Sequence, residues 1–176
     1  MPEATKARRK KGAKTVVREY FDALAAQDLE RAVAAWKPGG RDTLHGLADL
    51  VAPDGIRQFF GDLFAAFPDW HFEVLELTGS GETAAVRWRT TATFAGPGRF
   101  QGLAPTGARV EVEGCDMFRV VDEQIVENDA YTDGVGLARQ LGVLPPSGSA
   151  ADRAMTGAFN AKTAAAETIR RLRQRG

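Results

Sequence analysis

The sequence predicts an α+β fold in which helices come first and four successive strands then form a mainly antiparallel sheet. Two observations support this prediction. Apolar residues recur at helical spacing as far as Phe67, and from Trp70 onward they alternate with polar residues. Because long twisted strands curl a sheet, we expect a cone-shaped α+β barrel whose N-terminal helices cover the sheet and close a pocket.

Length and composition indicate one folded domain. The chain has 176 residues, of which 44% are hydrophobic and ten are Phe, so a sizeable core is available. Cys115 is the single cysteine, which excludes an internal disulfide and weakly favours a reducing compartment. The sequence shows neither a secretory signal nor an apolar run of transmembrane length, and we therefore expect a cytoplasmic protein.

The zero net charge conceals an uneven distribution. Residues 1–14 and 150–176 each hold six Lys or Arg, which leaves 11 basic and 20 acidic residues between them. Basic ends can indicate nucleic-acid or anionic-surface contact, or solvated ends that fold against an acidic body. Since no nucleic-acid motif or stacking aromatic accompanies the charge, we favour the second interpretation and expect no specific nucleic-acid partner and no membrane partner. We expect a disordered tail over 1–14, a folded domain over 15–146, and a linker with a basic C-terminal helix over 147–176.

Three helices are predicted before the strands. Thr15 is the expected N-cap of the first, whose buried face includes Tyr20. A shorter second helix follows the break at Gln27-Asp28 and ends at 37–40. The stretch 41–51 has no clear period and is interpreted as a loop that carries His45. The third helix opens at 53–55, shows a broad aromatic stripe, and stops at Pro68-Asp69.

The strands are predicted from alternation and from β-branched and aromatic residues. The first covers 70–77 and the second 83–94, with charged residues such as Arg87 and Arg89 on one face. Two long strands over 109–133 follow, joined by a tight turn at Asp122-Glu123. Asp133 is the expected N-cap of a short helix over 135–141, and 150–174 is helical by propensity.

Two polar residues occupy positions of the last hairpin where a one-sided sheet would place core side chains. They are Asp116 on the first arm and Asn128 on the second. Side chains alternate between the two faces of a strand, so Asn128 shares a face with Val126 and Ala130, whereas Asp129 takes the other face. The hairpin is therefore expected to form the floor of the pocket.

Six separated motifs resemble one family. These motifs are the third helix with its Phe-Pro-Asp end (56–69), Ala-Val-Arg-Trp (85–88), Pro-Thr-Gly (105–107), Gly-Cys-Asp-Met-Phe-Arg (114–119), Ile-Val-Glu (125–127) and Gly-Leu-Ala-Arg-Gln-Leu-Gly (136–142). In order and spacing, residues 15–146 resemble the SnoaL-like polyketide cyclases, also called ester cyclases, of the nuclear-transport-factor-2-like superfold. The resemblance implies an apolar pocket and ring closure by aldol condensation, with no metal or organic cofactor.

The resemblance also implies where the catalytic groups should lie. The family's Asp base aligns with Ala130, and the His on the preceding strand aligns with Asp116. Three explanations remain open: Asp116 has become the acid/base, Asp129 is the base with the alignment shifted by one, or the protein has another activity. Because side chains alternate between the two faces of a strand, Asp116 is favoured as the acid/base over Asp129.

The sequence therefore yields two classes of function. The first is a cofactor-free cyclase of the lyase or isomerase kind, acting on a hydrophobic polyketide-like molecule, with an epoxide-hydrolase-like enzyme as its alternative. The second is a binding module without catalysis, which Ala130 supports. The candidate catalytic residues are Asp116, Asn128 and His45, and no metal site is expected. The candidate substrate-binding residues are Tyr20, Trp88, Phe94, Phe118 and Ala130. A homodimer through the outer sheet face is also expected from the resemblance.

Overall fold

The computed structural model describes residues 10–174. The predicted tail therefore lies largely outside the described residues. Five helices and six strands follow one another along the chain: α1 (Ala13–Ala25), α2 (Leu29–Ala34), β1 (Trp36–Leu44), β2 (Ala48–Val51), α3 (Asp54–Ala66), β3 (His71–Ser80), β4 (Thr83–Thr93), β5 (Arg109–Val121), β6 (Gln124–Thr132), α4 (Gly134–Gln140) and α5 (Ala150–Arg173).

The strands form one sheet in the order β2-β1-β6-β5-β4-β3. All neighbouring pairs are antiparallel except β1 and β6, which run parallel. The predicted α+β fold is confirmed, although β2 and β3 are free edges and the curved sheet does not close completely into a barrel. In β4 and β5 inward-facing buried residues alternate with outward-facing residues, most of them exposed, so the core lies on a single side of the sheet.

The N-terminal helices cover that buried side. Helix α1 buries Val17, Tyr20, Phe21 and Leu24, which recur at helical spacing and face the sheet. Helix α1 begins at Ala13 after Gly12, two residues before the predicted cap at Thr15. Helix α3 packs against α2 and β2, and its aromatic stripe completes the core.

The predicted loop over 41–51 is wrong. Residues 36–44 form β1, which pairs with β6, and residues 48–51 form β2. Trp36, expected on the second helix, also belongs to β1. The register of β1 shifts between Trp36 and Arg41, around the Pro-Gly-Gly segment 38–40, and this irregularity removes the two-residue periodicity that would mark a strand.

The hairpin of β5 and β6 has the predicted two-residue turn. Asp122 and Glu123 both have positive φ, at 51° and 64°, as a tight turn between right-twisted strands requires. A bulge near Arg119 changes the alternation on β6, so that Ile125 is buried in place of Val126. The expectation that Val126 shares the inner face is therefore wrong, whereas Asn128 and Ala130 do lie on it.

Helix α5 has no buried residue. An ion pair between Arg139 Nη1 and Asp152 Oδ1, 3.1 Å apart, joins its first turn to α4. Among the described residues, no helix is both long and apolar enough to cross a bilayer.

Candidate active site

A cavity of about 80 Å³ lies between the helices and the inner face of the sheet. Its walls are almost entirely apolar and largely aromatic. Helix α1 contributes Tyr20, Phe21 and Leu24, and α3 contributes Phe59, Phe60 and Leu63. The other aromatic wall residues come from the segment after α3, from β3 and β4, and from the loop before β5: Phe67, Trp70, Phe72, Trp88 and Phe100.

Two carboxyl groups interrupt this apolar wall. Asp42 on β1 is 1% exposed and Asp116 on β5 is 7% exposed, and both line the cavity. Ala130, which pairs with Asp116 across the hairpin, lies in the wall beside them. Because burying a carboxyl group in apolar surroundings costs free energy, the pair needs polar neighbours or a function.

Asn128 joins the two carboxyl groups from the strand between them. Its side-chain nitrogen donates to Asp42 Oδ1 at 2.9 Å and to Asp116 Oδ2 at 3.2 Å. The other oxygen of Asp116 accepts a 2.7 Å hydrogen bond from Trp88 Nε1. Asp116 therefore accepts two hydrogen bonds from side chains, and the amide of Asn128 can donate to both acids only with its nitrogen turned toward them.

Burial shifts both acids toward the protonated form. Burial raises the pKa of Asp42 to about 7, and the charges of Asp116 and Asp129 add to that rise while the Asn128 hydrogen bond opposes it. Burial raises the pKa of Asp116 to about 6, against the hydrogen bonds from Trp88 and Asn128. Both carboxyl groups therefore change protonation state near neutral pH, which is the range that suits general acid and base groups.

Tyr20 brings a third polar group to the wall. Within residues 10–174 its hydroxyl has no hydrogen-bond partner, and neither has the indole nitrogen of the neighbouring Trp36. Trp36 Nε1 lies close enough to lower the pKa of the Tyr20 hydroxyl, but the two groups do not meet hydrogen-bond geometry. Burial is the larger effect and, together with the charges of Asp42 and Asp116, raises that pKa well above its ordinary value. The hydroxyl therefore stays protonated and is available as a donor.

The structure places four of the eight sequence-predicted residues in the cavity wall: Asp116, Tyr20, Trp88 and Ala130. Asn128 is buried beside the two acids without lining the cavity. Phe94 and Phe118 form part of a second layer. Phe94 stacks on the wall residue Phe67 with ring centroids 4.8 Å apart, and Phe118 contacts Tyr20 edge-on at 5.9 Å. Neither ring lines the cavity, although the sequence predicted both as substrate-binding residues.

His45 lies outside the cavity. Its Nε2 is 2.9 Å from Asp129 Oδ1, and its ring stacks on Tyr131 at 4.2 Å. Asp129 and Tyr131 alternate along β6 with the inward-facing Asn128 and Ala130, so all three groups belong to the outer face. The structure thereby removes His45 from the site and excludes Asp129 as the cavity base.

Sequence reasoning missed Asp42. It lies in the segment interpreted as a loop, and its position follows from the parallel register in which Asp42 pairs with Asn128. An isolated Asp between Arg41 and Thr43 carries no local signal of burial. Among the described residues, no group of three or more His, Cys, Asp or Glu side chains is arranged to hold a metal ion.

Comparison with known proteins shows similarity to one family. Residues 14–141 match the family model of the SnoaL-like polyketide cyclases. No curated protein matches the sequence. Among solved structures, AclR of Streptomyces galilaeus, a proposed hydroxylase, is 27% identical with a TM-score of 0.65 over 76% of this chain and 97% of its own.

Two further solved structures carry the name of a polyketide cyclase. A proposed SnoaL-like polyketide cyclase from Jannaschia sp. CCS1 is 26% identical, with a TM-score of 0.65 over 81% of this chain and 99% of that one. IdmH of Streptomyces antibioticus, a proposed polyketide cyclase, is also 26% identical, with a TM-score of 0.62 over 75% and 99%. The family match spans most of the chain and agrees with the open, helix-covered sheet. The protein belongs to the SnoaL-like polyketide cyclase family.

Proposed function

We propose that the protein is a cofactor-free cyclase that closes a ring in an apolar, polyketide-like molecule by proton transfer between Asp116, Asp42 and the substrate. The observation that carries the proposal is the pair of buried carboxyl groups in an aromatic cavity, bridged by the amide of Asn128. The two pKa values, about 6 for Asp116 and about 7 for Asp42, lie where one group can be ionised while the other is protonated.

Asp116 is the base in this proposal, because its carboxylate accepts two hydrogen bonds that stabilise the negative charge. Among the described residues, the Asp42 carboxyl group accepts a hydrogen bond from Asn128 alone, and it has the higher pKa. Near neutral pH the proton shared by the pair therefore resides mainly on Asp42. A protonated carboxyl group can donate a hydrogen bond to an oxygen that becomes negative.

The reaction then needs no further reagent. Asp116 takes a proton from the carbon next to a substrate carbonyl, and the C–H electron pair forms the enolate. Asp42 and the Tyr20 hydroxyl donate to the enolate oxygen. The enolate carbon attacks a second carbonyl of the same molecule to form the new C–C bond, and the resulting alkoxide takes the proton back from Asp116. Substrate and product are isomers, so the proton balance closes at each turnover.

The volume and the lining of the cavity limit the size and polarity of the substrate. Ligand pockets commonly measure roughly 300 to 1,000 Å³, so a cavity of about 80 Å³ suits a small molecule or the reacting part of a larger one. The aromatic walls exclude water and favour an apolar ligand with one oxygenated end. That end would face the two acids, while the apolar part lies against Phe59, Phe60 and Phe100.

Epoxide opening is the second candidate, because it also needs a base and a proton donor side by side. Asp116 would deprotonate a hydroxyl or a water molecule, and Asp42 would protonate the oxygen that leaves the epoxide carbon. A non-catalytic binding module is the remaining alternative. Assaying a small diketone and a small epoxide with the same enzyme preparation separates all three.

The experiment is a turnover assay of Asp116→Asn. An acyclic diketone whose carbonyls are separated by three carbons serves as substrate, and its isomerisation to a hydroxycyclohexanone is followed by chromatography. Asn keeps the acceptor for Trp88 but lacks the base, so kcat/KM should fall by about 100-fold or more. The matched control is Glu127→Gln on the outer face of β6, which should keep full turnover because Glu127 is exposed and pairs with Arg119. A folded Asp116→Asn variant with full turnover would overturn the proposal.

A cytoplasmic homodimer also belongs to this proposal. The outer sheet face exposes Met117 and Tyr131, each by about half, and next to them Arg87 and Arg89 pair with Glu113. An apolar centre beside matched charges suits association of two identical faces. Light scattering during gel filtration measures the oligomeric state, and a monomer at micromolar concentration would contradict the dimer.

A further inference from the structure

The charged side chains of the cavity wall all carry negative charge. Asp42 and Asp116 are acidic, and among the described residues no Lys, Arg or His lines the cavity. Helices α3 and α4 contribute only apolar side chains, and α1 contributes the neutral Tyr20. Asp129, behind β6, adds further negative charge near Asp42. Arg87 and Arg89 pair with Glu113 on the outer face, so they do not neutralise the two acids.

The polar end of the cavity also has an unused hydrogen-bonding group. Trp88 and Asn128 supply the donors that reach the two carboxyl groups. The Tyr20 hydroxyl, on a residue of the cavity wall that is only 2% exposed, is buried without a hydrogen-bond partner within residues 10–174. A ligand that brings several N–H donors to the two carboxyl groups would also supply a donor for the Tyr20 oxygen.

We propose that this cavity binds organic cations, namely primary or secondary alkylammonium ions whose N–H groups lie between Asp42 and Asp116. The apolar part of the ligand occupies the aromatic end of the cavity. Two buried carboxylates without a counter-ion are unfavourable, and an ammonium group supplies both the missing charge and the missing donors. The electron-rich rings of the wall add favourable contacts with a cation.

The inference rests on the same two acids as the proposed function and names a ligand class for them. The inference also predicts that ammonium binding depends on how many of the two acids are ionised. Burial raises the pKa of both acids, so both are ionised only above about pH 7. The ammonium ion binds the doubly ionised pair, whereas the proposed catalysis uses the singly ionised pair. Alkylamines should therefore compete with substrate most strongly on the alkaline side.

The test compares cyclohexylamine with cyclohexanol, which have the same ring and differ in charge. Calorimetry on the full chain should show the amine binding at least about 10-fold more tightly than the alcohol at about pH 8. That preference should fall by about 10-fold or more at about pH 5, where both acids are protonated. Equal affinities at the higher pH would overturn the inference.

Substitutions identify the residues whose charge causes the preference for the amine. The double variant Asp42→Asn with Asp116→Asn should lose the preference for the amine and still bind cyclohexanol, which reports an intact cavity. Glu127→Gln, on the outer face of the same strand, should keep the preference within about twofold, because Glu127 is exposed and pairs with Arg119. An unchanged preference in the double variant would place the amine elsewhere and overturn the inference.

The turnover assay on the same samples separates this inference from the proposed function. If the wild-type protein catalyses ring closure but does not prefer the amine, the organic-cation site is overturned and the proposed function stands. If it prefers the amine but catalyses neither ring closure nor epoxide opening, the catalytic proposal is overturned and the protein is a cation-binding protein.

Discussion

Trp88 Nε1 donates a 2.7 Å hydrogen bond to Asp116 Oδ1 inside the protein. The two residues lie diagonally on neighbouring strands, because Trp88 pairs with Gly114 and Asp116 with Val86. The indole can take this position since Gly114 has no side chain: a Cβ there would lie 2.3 Å from the ring. One aromatic residue thus both lines the cavity and orients its acid.

Replacing Trp88 with Phe should raise the pKa of Asp116 further. Trp88 provides the larger of the two hydrogen bonds that oppose the effect of burial, and Phe keeps an aromatic ring but has no donor. The acidic limb of the pH profile of kcat/KM should move upward by about one unit or less. Trp70→Phe is the matched control, since Trp70 lines the same cavity and its indole nitrogen has no hydrogen-bond partner within residues 10–174. A shift of equal size in both variants would contradict the assigned role of Trp88.

Gly114→Ala should displace the Trp88 indole. The added methyl group meets three ring atoms closer than 3.0 Å, so the ring must move and its bond to Asp116 weakens. We expect a loss of about 1 to 3 kcal/mol in the free energy of unfolding, measured by denaturant titration, with reduced turnover. Gly134→Ala is the control, since a Cβ there meets nothing within 4 Å. Equal stability of the two variants would show that the indole accommodates the methyl group.

The rate of ring closure should follow a bell-shaped pH profile. Asp116 must be ionised and Asp42 protonated, and their pKa values are about 6 and about 7. The measured kcat/KM should therefore peak between these values and fall on both sides. In Asp42→Asn the amide cannot lose its proton in this range, so the alkaline limb should disappear while the acidic limb remains. An alkaline limb that persists in this variant would assign that ionisation to another group.

Asp42→Asn should also change how stability depends on pH. A buried acid with a raised pKa stabilises the protein below its unfolded pKa, near 4, and that contribution is lost as the pH rises through about 7. The variant removes this loss, so above about pH 8 it should unfold with a free energy about 2 to 4 kcal/mol larger than the wild type. Near pH 4 the difference should fall below about 1 kcal/mol. A variant less stable than the wild type at the higher pH would show that Asp42 is stabilised as an anion.

Most of the fold could be predicted from local patterns. Helix α3 and strands β4 and β5 have uninterrupted periodicity, and the positive φ angles at Asp122 and Glu123 match the predicted turn. The face assignments of Asp116, Asn128 and Ala130 also followed from alternation, which is a property of the strand itself. The errors occurred at the bulge near Arg119 and in β1, where an irregular backbone breaks the period.

The site was predicted only in part, because neighbours in the cavity come from distant segments. Asp42 and Asn128 are far apart in the chain and meet through the parallel pairing of β1 with β6. His45 has the residue type of a catalytic group, but the turn after β1 directs it to the outer face, where Asp129 binds it. Residue type and spacing cannot distinguish these two outcomes.

By itself, the sequence determined the fold class and the inward orientation of Asp116. The reason is that helix and strand periodicity are short-range consequences of backbone geometry. The tertiary structure decided that Asp116 has a second acid as its partner, that Asn128 bridges the two, and that Trp88 orients one of them. These relations depend on strand register and on desolvation, which arise only when segments distant in the chain pack together.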